Sequence, residues 1–179
     1  MTIIISTVSE LESHLVGKKI GAVFTMGALH EGHASLMQEC RNQIGNDGLV
    51  VVSIFVNPTQ FNDPNDLTKY PRTLETDFEL CEQNGVDIVF APSVEEIYPE
   101  DLEIKQINPG AIGSILEGAS RPGHFVGVAT VVNRLLEITK PDVTCFGQKD
   151  YQQLVIVKKL QETYFEDIEI RSVKTVRSN

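Results

Sequence analysis

No stretch of this chain approaches the roughly 20 consecutive apolar residues that a membrane-spanning helix needs. No CxxC pair is present either. Cys40, Cys81 and Cys145 are an odd number, widely spaced, and Cys40 and Cys145 lie in apolar segments, the pattern of buried thiols in a reducing compartment. Positive charge is scarce: 15 Lys and Arg stand against 25 Asp and Glu, a formal net charge of −10. That balance argues against nonspecific attraction to nucleic acid or to an anionic membrane, so an anionic ligand would need a local basic pocket. The opening "MTIIISTVSE" lacks a basic n-region and its apolar run is short for a signal peptide. The expectation is a cytoplasmic protein with neither nucleic acid nor membrane as partner. Two phosphate-binding signatures are also missing, G-x-x-x-x-G-K-[ST] and a G-x-G-x-x-G after a strand, so any nucleotide must be held by another device.

What is present suits one domain of 179 residues, with 41% hydrophobic and 22% charged residues. Apolar runs alternate with amphipathic ones. Thr7 opens a helix as a capping box with Glu10, and Gly17 follows its end. Helical spacing recurs over 31–44, 73–85, 124–139 and 151–164, while 19–25, 49–56, 86–92, 142–147 and 168–173 read as strands. Strand then helix, repeated, predicts an α/β fold: a Rossmann-like parallel sheet with helices on both faces. Ligands of such sheets bind beyond the carboxyl ends of the strands. The polar clusters fall at those ends, at Thr25–His33, Asn57–Phe61 and Gly147–Asp150. The stretch 57–72 reads as one long loop, and loops of that length tend to be functional.

Two of the four histidines, His30 and His33, stand three residues apart where a strand hands over to a helix. A helix N-terminus offers unpaired N–H groups and a partial positive charge, which attract phosphate. Imidazoles there can donate to phosphate oxygens as charge develops during transfer. Gly27 and Gly32 would keep the backbone bare where a nucleotide approaches. Two other readings of the same spacing stand beside this one: a pair of metal ligands, or a helix cap with no further role.

"TMGALHEGH" is similar to the HxGH signature of the nucleotidyl-transferase superfamily, which class I aminoacyl-tRNA synthetases share. With "VVSIFVNPTQF", "DLTKYPRT", "LEGASRPGHFVGVATVV" and "DVTCFGQKDYQQL" following in order, the chain from Phe24 to about Arg177 resembles the pantothenate synthetases. The resemblance implies an ATP-dependent ligase that condenses pantoate with β-alanine through pantoyl adenylate, with Mg²⁺ as cofactor and a homodimer as assembly. It also implies roles. His30 and His33 would hold the ATP phosphates and stabilise the adenylation transition state, with Lys149 on phosphate. Met26 would sit beside the reacting groups. Gly147, Asp150 and Val176 would complete the ATP site. Gln60 and Gln153 would hold pantoate, Asn57 would join them, and Asp77 would lie near Mg²⁺. Taken singly, Gln60 and Gln153 read rather as solvated amides and Lys149–Asp150 as a solvated charge pair. Arg121 is a phosphate contact or a turn residue, and His124 a site residue or a helix cap. A different nucleotidyltransferase of the same fold, or a noncatalytic nucleotide-binding or dimerisation module, are the rival readings.

The chain departs from the family pattern in two places. Phe24 stands where the family has proline before TMG, and an aromatic ring can still line an apolar wall there. After "TVR" the family continues into a Ser- and Arg-containing segment and a smaller lid domain, whereas this sequence reads "VRSN". The expectation is a single nucleotide- and pantoate-binding domain over 1–179 that binds and turns over weakly without its lid, because water would reach the adenylate.

Overall fold

In the computed structural model, which describes residues 1–175, six strands form one parallel sheet. In chain order these are β1 (Ile3–Ile5), β2 (Ile20–Thr25), β3 (Leu49–Ile54), β4 (Ile88–Phe90), β5 (Val143–Gly147) and β6 (Glu169–Val173). Their order across the sheet is β1-β4-β3-β2-β5-β6, every pairing parallel. From β2 the chain runs outward to β3 and β4, then returns to the other side of β2 for β5 and β6. The winding therefore reverses between β2 and β5, and a crevice opens at their carboxyl ends.

The longer helices are α1 (Val8–Leu15), α2 (Glu31–Ile44), α4 (Leu74–Gln83), α7 (His124–Thr139) and α8 (Tyr151–Tyr164); α3 (Pro64–Lys69), α5 (Val94–Ile97) and α6 (Glu117–Ser120) are short. Alternate strand residues feed two cores, as period-2 side chains must. Val51, Ile88 and Phe90 pack with α1, α7 and α8 on one face. Val23, Val50, Val52 and Val89 pack with α2 and α4 on the other. Strands covered on both faces are nearly continuously apolar, which is why the runs 49–54, with Ser53 its one polar residue, and 88–90 show no alternation. α7 is buried nearly all round, with Phe125, Val128, Val131, Val132, Leu135, Leu136 and Ile138 among its buried side chains, and forms the spine of the first core. All three cysteines are free thiols in the second core. A hydrogen bond with Cys145 and burial hold Cys40 protonated, and burial with the charge of Asp77 pushes Cys81 up to about 12. No helix among the described residues is long and apolar enough to cross a membrane.

The five strands expected from apolar runs are all present, though shorter, and the helices over 31–44, 124–139 and 151–164 have the expected bounds. Thr7 caps α1 through Glu10 N–H. The edge strand β1 was not expected: Ile3 and Ile4 are exposed, so no local pattern marks it, and pairing with β4 supplies its order. The 57–72 loop carries more structure than expected, a 3₁₀ turn at Pro58–Gln60 capped by Asn57 and α3 capped by Asp63. Each begins with proline after Asn or Asp, a start signal that the run of turn residues obscures.

Candidate active site

At the carboxyl ends of β2, β3 and β5 lies a cavity of about 350 Å³. His30, His33, Gln60, Lys149 and Gln153 all line it, together with Met26, Asn57, Gly147 and Asp150. The polar residues ring an apolar recess built from Phe24, Phe55, Val128, Val132, Phe146 and Leu154. Phe24 and Phe146 meet edge to face there, ring centres 6.3 Å apart.

The segment leaving β2 turns sharply. Gly27 has φ +85° and Ala28 φ +52°, a left-handed pair that exposes successive N–H groups on one side. Those groups find a single partner, the buried carboxylate of Asp77 on α4. Oδ2 accepts from Ala28 N–H at 3.0 Å and Oδ1 from Leu29 N–H at 2.7 Å, while Thr73 Oγ1 donates to Oδ2 at 3.1 Å. A Cβ on Gly27 would stand 3.0 Å from Asp77 Oδ2, so a larger residue would push this carboxylate away. Asp77 is 2% exposed and does not line the cavity. The expectation of a Mg²⁺ ligand at this position gives way to that of a brace, because its oxygens are committed to N–H and O–H groups within the protein.

Held in this way, the loop delivers His30 to the N-cap of α2. His30 Nδ1 accepts from Gly32 N–H at 3.0 Å, and His33 Nδ1 accepts from His30 N–H at 3.2 Å, a reciprocal capping box made of two imidazoles. The cap reading and the phosphate reading are thus compatible. A ring whose Nδ1 accepts a hydrogen bond while neutral must carry its proton on Nε2. Both Nε2–H groups remain as donors at the head of a 14-residue helix. Burial, then the neighbouring His30, push His33 down to about 4; Asp77 opposes this and Lys149 adds to it. Gly32 is explained by the cap: a Cβ would lie 2.8 Å from the His30 ring. Gly32 therefore serves an internal contact and does not line the cavity, whereas Gly27 both lines it and makes room for Asp77.

Across the cavity, the 3₁₀ turn after β3 presents Gln60, which is 8% exposed. Its Oε1 accepts from Asn57 Nδ2 at 3.1 Å and its Nε2 reaches Met26 Sδ at 3.1 Å. His124, at the first turn of α7, directs Nδ1–H to Gln60 O at 2.9 Å. Gly127 completes the clamp, since a Cβ there would meet Thr59 O at 2.5 Å. Asn57 is 1% exposed, and its amide is bonded to Gln60 Oε1, Gly127 O, Thr59 and the Tyr98 hydroxyl. It was expected to contact the ligand; with its hydrogen-bonding capacity used, it orients Gln60 instead. His124 is likewise no side-chain cap, because Gly123 occupies the N-cap of α7. Burial lowers its pKa, with Arg121 acting in the same direction, which keeps the ring neutral as a donor to Gln60.

The third wall comes from β5 and α8. Gly147 has φ −74°, and a Cβ there would meet no protein atom within 4 Å. Neither backbone conformation nor packing requires a glycine, so open space is what it keeps. The exposed side chains of Lys149 and Asp150 follow at the cavity rim. Gln152 and Gln153 part company: Gln152 Nε2 bonds Ile112 O and Ile115 O, while Gln153 faces the cavity. Arg121 pairs with Glu117 at 2.7 Å beside an adjoining recess. Tyr70, Phe55 and Val128 also line the cavity without having been singled out from the sequence, since tertiary packing alone brings them there. Val176 lies outside the described residues. Among the described residues no three His, Cys, Asp or Glu side chains gather around a cation position. Asp150 is the one carboxylate among the residues lining the cavity, so a Mg²⁺ there would be held chiefly by ligand phosphates and water.

A model of the family "Pantoate-beta-alanine ligase" matches residues 3–179. A pantothenate synthetase of Nocardioides sp. is 52% identical over 166 residues, 91% of this chain and 50% of its own length. One from Vibrio parahaemolyticus is 52% identical over 162 residues, 90% of this chain and 53% of its own. The chain thus spans about half the length of these curated relatives. Pantothenate synthetase from Thermus thermophilus superposes with TM-score 0.90 at 45% identity, over 99% of this chain and 63% of that one. The Francisella tularensis pantoate-beta-alanine ligase, complexed with beta-gamma ATP and beta-alanine, gives 0.91 at 44%, over 99% and 69%. A tyrosyl-tRNA synthetase of Leishmania major, 11% identical with TM-score 0.58 over 90% of this chain and 32% of that one, shares the fold alone.

Two outcomes follow from this geometry. Asp77→Asn replaces an oxygen facing N–H donors with an NH₂ group, so it should destabilise the fold by about 1–3 kcal/mol in urea titrations. Because His33 titrates near 4 in the fold against 6.5 when free, protons bind the unfolded chain preferentially in between. Stability should fall as pH drops from about 6.5 toward 4. His33→Gln, whose amide oxygen can still accept from the His30 N–H, should lose that part of the acid sensitivity in melting curves taken across the window.

Proposed function

The chain belongs to the pantoate–β-alanine ligase family, and on that premise we propose that residues 1–179 form the nucleotide- and pantoate-binding domain of an enzyme joining pantoate to β-alanine with ATP. The observation that carries this reading is the convergence of His30, His33, Gln60, Lys149 and Gln153 on one cavity at the switch in strand order.

A carboxylate is a poor acyl donor until it is adenylated. A pantoate carboxylate oxygen attacks the α-phosphorus of ATP, the bond to the bridging oxygen breaks, and pyrophosphate leaves with that electron pair. Charge grows on the phosphate oxygens, where the Nε2–H groups of His30 and His33, the head of α2 and the Lys149 ammonium are placed to receive it. The imidazoles act as neutral donors and not as bases, since Nδ1 of each is already an acceptor in the cap. Mg²⁺, held chiefly by the triphosphate oxygens, would supply charge neutralisation for the pyrophosphate leaving group. Next the amine of β-alanine attacks the acyl carbonyl, the bond to the phosphate oxygen breaks, AMP leaves, and the nitrogen loses a proton.

Gln60 and Gln153 hold the hydroxyl and carboxylate oxygens of pantoate, while its methyl groups occupy the recess of Phe24, Phe55 and Val128. Met26 sits between the two substrates, Gly147 lets the nucleotide approach, and Asp150 accepts from the ribose hydroxyls. Val176 belongs to the same nucleotide site in this proposal. A homodimer in the cytoplasm is its expected setting, by family resemblance.

Adding ATP, Mg²⁺ and pantoate without β-alanine should release pyrophosphate. Release that ignores pantoate and follows another acceptor would assign a different nucleotidyltransferase. Thermal stabilisation by ATP with none by pantoate would leave a nucleotide-binding module without this chemistry. Gly147→Ala offers a sharper check. Its methyl group enters open space, so the melting temperature should hold while ATP affinity falls about tenfold or more.

A further inference from the structure

The Asn57 side chain could stand either way round, and each way would turn Gln60 in the opposite sense. Its oxygen is fixed by three donors: Thr59 N–H at 3.3 Å, Thr59 Oγ1 at 2.9 Å and the Tyr98 hydroxyl at 2.9 Å. Reversing the amide would set an NH₂ group against the Thr59 N–H and an oxygen against the Gly127 carbonyl, whereas the two hydroxyls could turn to suit either orientation. The Asn57 nitrogen therefore points at two acceptors, Gln60 Oε1 at 3.1 Å and Gly127 O at 3.2 Å. With its oxygen occupied, Gln60 keeps Nε2 on the Met26 side of the cavity.

Tyr98 does not line that cavity. It follows α5, whose last carbonyl, Ile97 O, receives Arg134 Nε of α7 at 3.1 Å. Its ring packs edge to face on Phe55, centres 6.1 Å apart. Desolvation raises its pKa, so the hydroxyl keeps its proton at any working pH. The packed ring fixes where the phenol oxygen stands, and its proton is directed to Asn57 Oδ1, at the far end of a chain Tyr98–Asn57–Gln60.

We propose that Tyr98 is a positioning residue for the acid substrate: by donating to the Asn57 oxygen it holds the amide that Thr59 N–H and Gly127 O orient, and so keeps Gln60 as a hydrogen-bond donor in a subsite that selects ligand groups that accept, such as a carboxylate or a hydroxyl oxygen. The inference rests on the reading of Gln60 as a pantoate contact. It goes beyond that reading by assigning the direction of the hydrogen bond and a residue outside the cavity that steadies it. Acids that offer an acceptor at this point bind; analogues with an amide NH₂ or an ammonium there are rejected, because donor faces donor.

The test is titration calorimetry on the full chain with pantoate and, separately, with ATP. Tyr98→Phe keeps the ring and removes the hydroxyl. It should weaken pantoate about 3- to 10-fold, the size of one lost hydrogen bond, and leave ATP unchanged. In a Gln60→Ala background the same substitution should have no further effect, since the relay has lost its end. Pantoate affinity unchanged in Tyr98→Phe, an equal loss for ATP, or a full additional loss in Gln60→Ala would overturn the relay while leaving Gln60 as a contact. Pantoate affinity unchanged in Gln60→Ala itself would overturn the Gln60 assignment, and the relay with it.

Discussion

One buried carboxylate decides whether this site exists. Ala28 takes a left-handed backbone that costs an L-residue about 1–2 kcal/mol. Two hydrogen bonds to an ionised acceptor contribute about 1.5–3 kcal/mol each, which is enough to hold the strained turn in place. Because Asp77 belongs to α4 and the turn belongs to the segment after β2, the bond also ties the two elements of the second core together above the sheet. The placement of His30 at the helix head, the histidine capping box, and the direction of both Nε2–H groups all follow from that tie.

The site concentrates donors without concentrating charge. His33 is neutral near pH 7, and capping directs the free N–H of both imidazoles outward. Lys149 adds an ammonium at the rim, and the α2 dipole supplies partial positive charge from aligned peptides. This resolves how a chain of net charge −10 can be suited to polyanions. Preorganised dipoles in a partly dry cavity act strongly at short range, where a field of many cations would also bind anions indiscriminately.

Much of the architecture was legible because buried parallel strands advertise themselves as unbroken apolar runs and amphipathic helices as stripes. α2, α7 and α8 were readable to the residue for this reason. What stayed hidden depends on pairing between distant segments. β1 is three isoleucines, two of them exposed, until β4 lies beside it, and Tyr98 is one aromatic among several until Asn57 comes within 2.9 Å. The same limit shaped the site. Residue type and position in the strand-end loops pointed to His30, Gln60, Lys149 and Gln153, yet sequence could not tell a residue that faces the cavity from one that braces it. Asp77 and Asn57 carry chemistry suited to ligands and spend it on neighbours. Gly32 likewise answers to the chain's own atoms, whereas Gly147 answers to empty space.

The distribution of cysteine gives the molecule an internal clock for one of its halves. Cys40, Cys81 and Cys145 all sit in the core beneath α2 and α4, and the core under α7 has none. A thiol reagent can react only when that half parts, so alkylation rates report the excursions of the face that carries the histidine helix and its carboxylate anchor. Ligands that knit this face together would slow the modification, and the other half of the fold would contribute nothing to the signal.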